Sequence, residues 1–365
     1  MGIYLREDIE KTKQIKNNKL ILTKLIKIMK KVIFALAAVV ALAACSNEET
    51  LSLNQGEVIG FDSFTNNVTR SVNDPSLNNS NLADFAVYGT VTADATAHIF
   101  NRELVNKQIT NAEMTLTEWK YEGTQYWING ATYNFAAVAP YAASQESIFD
   151  GAKTAFTFTS NDTTDLLYAQ TTATGAAAGS NNVVAFDFRH TLSKIKFSFK
   201  NGYNADNATI VVKGINITNA PKQAVAEFTA TTTVWSGHTS NGIIAFGDAT
   251  DNEATTGVKE DAADKFGYDA TYESLNERFL IPVAEDYTYL VDFVVELWMG
   301  GTKIDTYTHT GVELKFAPAV GTAYDVTTTL TPATIDPSAS QDPIQFTVNE
   351  IPGWQNGSVG ALPLE

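Results

Sequence analysis

The chain has 365 residues with 25 Lys+Arg against 41 Asp+Glu, a formal net charge of -16, and residues 1–44 hold nine of the basic side chains but three of the acidic ones, leaving 16 against 38 from Cys45 onward. A body this acidic repels nucleic acid and anionic lipid headgroups, so neither is an expected partner. Cys45 is the only cysteine, which excludes an internal disulfide and a multi-thiolate zinc site, while the length beyond it exceeds what one core usually holds and predicts two domains.

Lys30-Lys31 leads into an apolar run, Val32 to Leu42, closed by Ala43-Ala44-Cys45. A positive flank, about ten apolar residues and small terminal residues make a secretory signal peptide; a membrane span needs about 20. Met29, directly before the lysines, is the expected translation start, which removes residues 1–28 from fold reasoning. Leu42-Ala43-Ala44-Cys45 resembles the lipobox of bacterial lipoproteins. That resemblance implies cleavage before Cys45, diacylglycerol on its thiol and acylation of the new N-terminus. Two or more acyl chains hold a protein stably on a membrane, where one holds it marginally. The acidic tract Ser46-Asn47-Glu48-Glu49 resembles the mark that directs some lipoproteins to the outer face of the outer membrane.

Past Cys45, Thr, Val, Phe and Tyr alternate with polar residues, and Asn and Gly punctuate them. Gln55–Phe64 reads as a strand with Ile59 and Phe61 on one face. Thr65–Ser80 follows, polar, Asn-rich and broken by Pro75, an exposed segment of the kind proteases cut. It contains Arg70, one of four arginines after Cys45. Helical periodicity is nearly absent outside the leader; Ala83–Tyr88 and Leu275–Phe279 have room for a short helix, but neither is long enough to stand alone. Ala155–Thr159, Ile195–Phe199, Leu290–Trp298 and Ala323–Leu330 read as strands. Thr171–Asn182 offers nothing to bury and reads as a linker. It divides the chain into a leader, 1–44, an N-terminal domain, 45–180, and a C-terminal domain, 181–365. Gly247–Gly267 is an acidic solvated loop without the Asp/Asn spacing of a calcium loop. Ile344–Ile351, between Pro343 and Pro352, alternates strictly through Val348 and runs on to Trp354. The fold class expected is all-β, of sandwich type.

Chemistry is hard to place on this chain. Its four histidines (His98, His190, His238 and His309) are scattered, and no zinc helix, nucleophile elbow or phosphate loop occurs. No catalytic residue, metal or cofactor is expected. His190 and Lys194 read as packing and strand-pairing residues.

Several pieces, taken in order, resemble the fimbrillins, the subunit family of type V pili. They are the lipobox; Thr69-Arg70-Ser71 after one N-terminal strand; "FDFRHTLSKIKFSF" (Phe186–Phe199); "NFAAVAPY" (Asn134–Tyr141) with "GTAYDVTTTL" (Gly321–Leu330); and the alternating C-terminal strand near a tryptophan. The resemblance implies two tandem transthyretin-like Greek-key β-sandwiches. It also implies an outer-membrane lipoprotein precursor, cut between Arg70 and Ser71, whose first strand leaves a groove that a neighbour's C-terminal strand fills. The donor residues are then Ile344, Phe346 and Val348, with Ile351 joining if a bulge restores the phase. Implied partners are identical or related pilin subunits, the outer membrane through Cys45, and a host or bacterial surface receptor, in a fimbrium at the cell surface. A surface lipoprotein that binds glycans and a pilus anchor or tip accessory subunit are the alternatives. The physics of strand addition stands apart from the family: a sandwich lacking one strand offers unpaired backbone groups and an apolar trough.

Overall fold

The computed structural model describes residues 57–65, 76–78, 81–91, 94–109, 117–144, 148–175, 183–205, 207–250, 267–338, 343–352 and 354. Strands fill most of them; no α-helix occurs among the described residues, and one 3-10 turn spans Tyr141–Ser144. The first half carries β1 (Gly60–Thr65), β2 (Asp84–Val91), β3 (Asp94–Ile109), β4 (Thr117–Lys120), β5 (Thr132–Ala139), β6 (Ile148–Phe149), β7 (Thr154–Thr159), β8 (Leu167–Thr174) and β9 (Val183–His190). Then come β10 (Ser193–Asn201), β11 (Ala208–Phe228), β12 (Thr233–Gly247), β13 (Ala249–Thr250), β14 (Thr271–Ser274) and β15 (Arg278–Leu280). Last are β16 (Tyr287–Met299), β17 (Thr302–Phe316), β18 (Ala323–Leu330) and β19 (Thr347–Ile351).

Seven strands form the first sheet, in the order β1-β9-β8-β5-β2-β3-β4. It curls round a core that includes Phe61, Phe85, Phe100, Phe135 and Phe186 until its two ends meet. The meeting point is a hydrogen-bonded bridge between Val58, just ahead of β1, and Tyr126, just after β4. Curling round a core hides the edges that an open sheet leaves unpaired. β1 is therefore the closing strand.

A second sheet (β13-β14-β10-β18-β19, with β15 on β10) packs on a third (β17-β16-β11-β7-β6, with β12 on β11). Ile195, Phe197 and Phe199 of β10 and Val326 of β18 face Val212, Phe246, Phe293 and Val295 across this second core. The period of two places them there: Lys196 and Ser198, between them in sequence, turn to the other face. A third core lies against the outside of the curled sheet, where Tyr88, Val138 and Tyr168 meet Phe156, Phe228, Trp235, Leu192 and Phe279.

Of the stretch with room for a short helix, Asp84–Tyr88 is strand. β2 is buried on both faces and so shows an unbroken apolar run with no period of two. Leu275–Phe279 is likewise no helix, since its end enters β15. The segment expected as a linker is partly strand: Thr171–Thr174 continue β8 along β5. Gly175 follows as a close approach, because a Cβ there would stand 1.9 Å from the Ile128 carbonyl oxygen. The segment joins β8 to β9 within the first sheet; the chain changes sheet ahead of it, between β7 and β8, and after it, between β9 and β10. β7, ahead of this segment, pairs with β11, whereas β9, after it, pairs with β8 and β1.

Candidate functional site

The candidate site has two separate parts, the seat of β1 in the first sheet and the C-terminal arm on the second. β1 runs parallel to β9 through six residue pairs, from Gly60–Val183 to Thr65–Phe188. On its other side the Ile59 amide donates to the Gln125 carbonyl at 2.8 Å, and the Trp127 amide donates to the Glu57 carbonyl at 2.9 Å. The Tyr121 hydroxyl donates to the Ile59 carbonyl at 2.9 Å. Residues 57–59 are thus held on the Gln125–Trp127 side, and 60–65 on the β9 side. Ile59 and Phe61 point inward, 0% and 5% exposed. The Phe61 ring meets Phe100 at 5.2 Å, Tyr121 at 5.5 Å, Phe186 at 5.8 Å and Phe135 at 6.1 Å. Without this strand, the space between β9 and Gln125–Trp127 is a trough with an aromatic floor and two lines of backbone groups. Sequence reasoning found Ile59 and Phe61 by their period. It missed the far wall, because Gln125–Trp127 lies outside any alternating run.

The second feature is Ile344–Ile351. In this structure the arm lies on its own chain, with β19 pairing antiparallel to β18 from Thr327–Thr347 to Ala323–Ile351. Ile344 is buried in the second core, and Phe346 and Val348 pack half-buried against it. The Phe346 ring lies 5.7 Å from Phe197 and 6.3 Å from Phe293. The pairing of β19 has no bulge, so Ile351 turns to the opposite face and packs on the third core. Ile344-Gln345-Phe346 repeats the spacing of Ile59-Gly60-Phe61, one large aliphatic and one phenyl ring two residues apart.

His309 sits behind the arm. Its ring stacks on Phe293 at 4.7 Å, and its Nε2–H donates to the Ile335 carbonyl at 3.0 Å. Burial holds its pKa below the ordinary histidine value, against the opposing pull of that hydrogen bond and of Asp336. The folded state thus binds its proton less readily than the unfolded state. Its neutral form costs nothing above about pH 6.5, and stability is lost as pH falls from there through the lowered folded value. Thermal unfolding followed between pH 7.5 and 5 should show a melting temperature that falls on acidification. The fall should be shallower in His309→Asn.

Cys45, Arg70 and Ser71 lie outside the described residues. The other three arginines of the body are all part-buried in strands and engaged. Arg102 in β3 donates to the Tyr141 hydroxyl at 2.9 Å. Arg189 in β9 donates to the carbonyls of Ala230, Thr229 and Thr232. Arg278 in β15 donates to the Glu277 carbonyl at 2.9 Å. A protease that needs an extended segment in its cleft finds none of these three ready. Among the described residues no group of three His, Cys, Asp or Glu is placed to hold a metal, and no helix is long and apolar enough to cross a membrane.

A family model for fimbrillin-like proteins matches residues 69–349. Among solved structures, a fimbrial protein from Bacteroides vulgatus is similar with a TM-score of 0.55 at 18% identity, covering 82% of this chain and 99% of that one. Two structures provisionally described as cell adhesion proteins are also similar. The one from Bacteroides uniformis has 17% identity, a TM-score of 0.44 and coverage of 82% and 98%. The one from Bacteroides ovatus has 20% identity, a TM-score of 0.42 and coverage of 82% and 98%. The likeness to the first is one of fold. No curated protein sequence matches.

Proposed function

Because the chain belongs to the fimbrillin-like family, a family of structural rather than catalytic proteins, we propose that it is a pilus subunit joined to its neighbours by exchange of a strand. In this reading the precursor reaches the surface on a lipidated Cys45 and is cut between Arg70 and Ser71. The cut separates the anchor and β1 from the rest of the chain. A second copy, or a related subunit, then lays its Ile344, Phe346 and Val348 into the vacated trough. The fimbrium at the cell surface, and adhesion through it, are the setting the family supplies.

One observation carries the reading: the strand directly ahead of Arg70 is the one that closes the curled sheet, and the C-terminal arm repeats its inward spacing. The match supports a register as well. With Ile344 in the seat of Ile59 and Phe346 in that of Phe61, Gln345 falls where Gly60 stands. A Cβ at Gly60 meets Val183 at 3.8 Å, an ordinary contact. Pro343 falls on Val58, whose bridge to Tyr126 uses the carbonyl of Glu57 and the amide of Ile59. A proline there loses no bond on that side. Burying two or three such side chains contributes about 1.5–3 kcal/mol each, and a backbone ladder adds to it. Donation from head to tail does not close on itself, so it propagates as a filament.

Mass spectrometry of the N-terminus of the surface protein tests this reading. A mature start at Ser71 is the expected result. A surface protein that keeps the lipidated Cys45 as its N-terminus would overturn the polymerising role and leave an anchor subunit or a monomeric lipoprotein.

A further inference from the structure

β19 is a weak strand by itself. It is five residues long, lies at a sheet edge, and has no fully buried side chain. Strands of this kind open first when a fold breathes. Yet Trp354, three residues beyond it, is 4% exposed. Its indole stacks on the His190 ring at 4.2 Å with 24° between planes. The Lys194 ammonium lies 5.2 Å from the indole centroid, and Phe279 stands 6.3 Å away on another side. The indole Nε1–H donates to the Ser76 hydroxyl at 2.9 Å.

Two walls of this slot are themselves fixed by buried partners. His190 Nδ1 pairs with Asp165 Oδ2 at 2.7 Å. The same carboxylate accepts the Leu77 amide at 3.0 Å and the Leu166 amide at 2.8 Å. Lys194 pairs with Glu277 at 3.0 Å, both side chains under a tenth exposed. A flat ring, a cation over its face and an acceptor at its N–H meet the three ways an indole is recognised. The slot is a built tryptophan site, assembled from β9, β10, β15 and the segment 76–78.

We propose that Trp354 in this slot is the latch that keeps the C-terminal strand on its own chain, and that withdrawing the indole precedes release of β19. Sliding β19 off β18 drags the residues just past it, so the strand cannot depart while the ring is seated. The latch also reaches the N-terminal side of the molecule. Ser76 lies five residues past Ser71, so it stays with the body after a cut at Arg70. Ser76 is held locally, its carbonyl accepting from Asn81 Nδ2 at 2.9 Å and the next amide, that of Leu77, donating to Asp165. The holding role rests on the contacts above; its consequence for assembly rests on the strand-exchange reading.

Amide hydrogen exchange on the uncut full-length protein tests the latch. In Trp354→Ala the amides of Thr347–Ile351 should exchange at least tenfold faster than in the wild type, with β10 and β16 unchanged. If Trp354→Ala unfolds the whole body, Ser76→Ala takes its place, since it removes one hydroxyl and leaves the ring stack. It should still raise exchange in β19 selectively. Unchanged β19 exchange in the folded variant overturns the latch. After arginine-specific cutting, the unlatched variant should form oligomers sooner than the wild type. Faster β19 exchange with no oligomers from either protein would keep the latch and defeat strand exchange.

Discussion

Treated with an arginine-specific protease, the wild-type protein should show one early cut and then a ladder of SDS-resistant oligomers, and Arg70→Ala should show neither. The expectation rests on competition for one trough. While β1 is covalently attached, it competes at the effective concentration of a tethered segment, on the order of millimolar. A neighbour's arm, free in solution at about micromolar concentration, then loses by about a thousandfold. Cutting the chain turns β1 into a separate peptide that dilutes once it leaves, and the handicap disappears. The other arginines leave the protease little choice, since Arg102, Arg189 and Arg278 are bonded within strands. Oligomers from uncut Arg70→Ala would refute the competition.

Phe346→Asp should be cut normally and yet fail to form the ladder. At home, Phe346 is half-buried against Phe197 and Phe293, so the folded monomer tolerates a change there better than a sealed core would. In the trough the same position meets Phe100, Phe135 and Phe186, the floor now covered by Phe61. Losing the ring forfeits about 1.5–3 kcal/mol, and a carboxylate without a partner in that floor costs more. With about 1.4 kcal/mol per factor of ten, the joint should weaken at least a hundredfold. Asn349→Asp, whose side chain is exposed at home and faces outward in the proposed register, should assemble like the wild type. Equal ladders from Phe346→Asp and Asn349→Asp would remove Phe346 from the joint.

How far the sequence could be read depended on what each strand buries. β7, β10 and β18 bury alternate residues on at least one side, and their period of two is plain in the chain. β2 is sealed on both faces by two different cores, so its pattern is continuous and resembles a short helix. The third core was out of reach for a related reason: it joins the outside of one sheet to residues such as Trp235 and Phe279, far away in sequence. The site divides in the same way. Ile59, Phe61 and the Ile344–Val348 arm are local patterns, legible residue by residue. The slot for Trp354 is not, because the indole and its hydroxyl partner are 278 positions apart. His190 and Lys194 looked like packing residues, and packing is what they do; that they pack a ring from the far end of the chain needed coordinates.

A photo-crosslinking residue at position 346, in filaments grown from an equal mixture of isotope-labelled and unlabelled subunits, tests the central claim most directly. In the proposed filament, Phe346 leaves Phe197 and Phe293 of its own chain for the trough beside β9 of the next. Mass spectrometry should then find cross-links between labelled and unlabelled chains, landing near Phe100, Phe135 and Phe186. Cross-links that stay within one isotope and land on β10 and β16 would show the arm still at home inside the filament, and would contradict strand exchange.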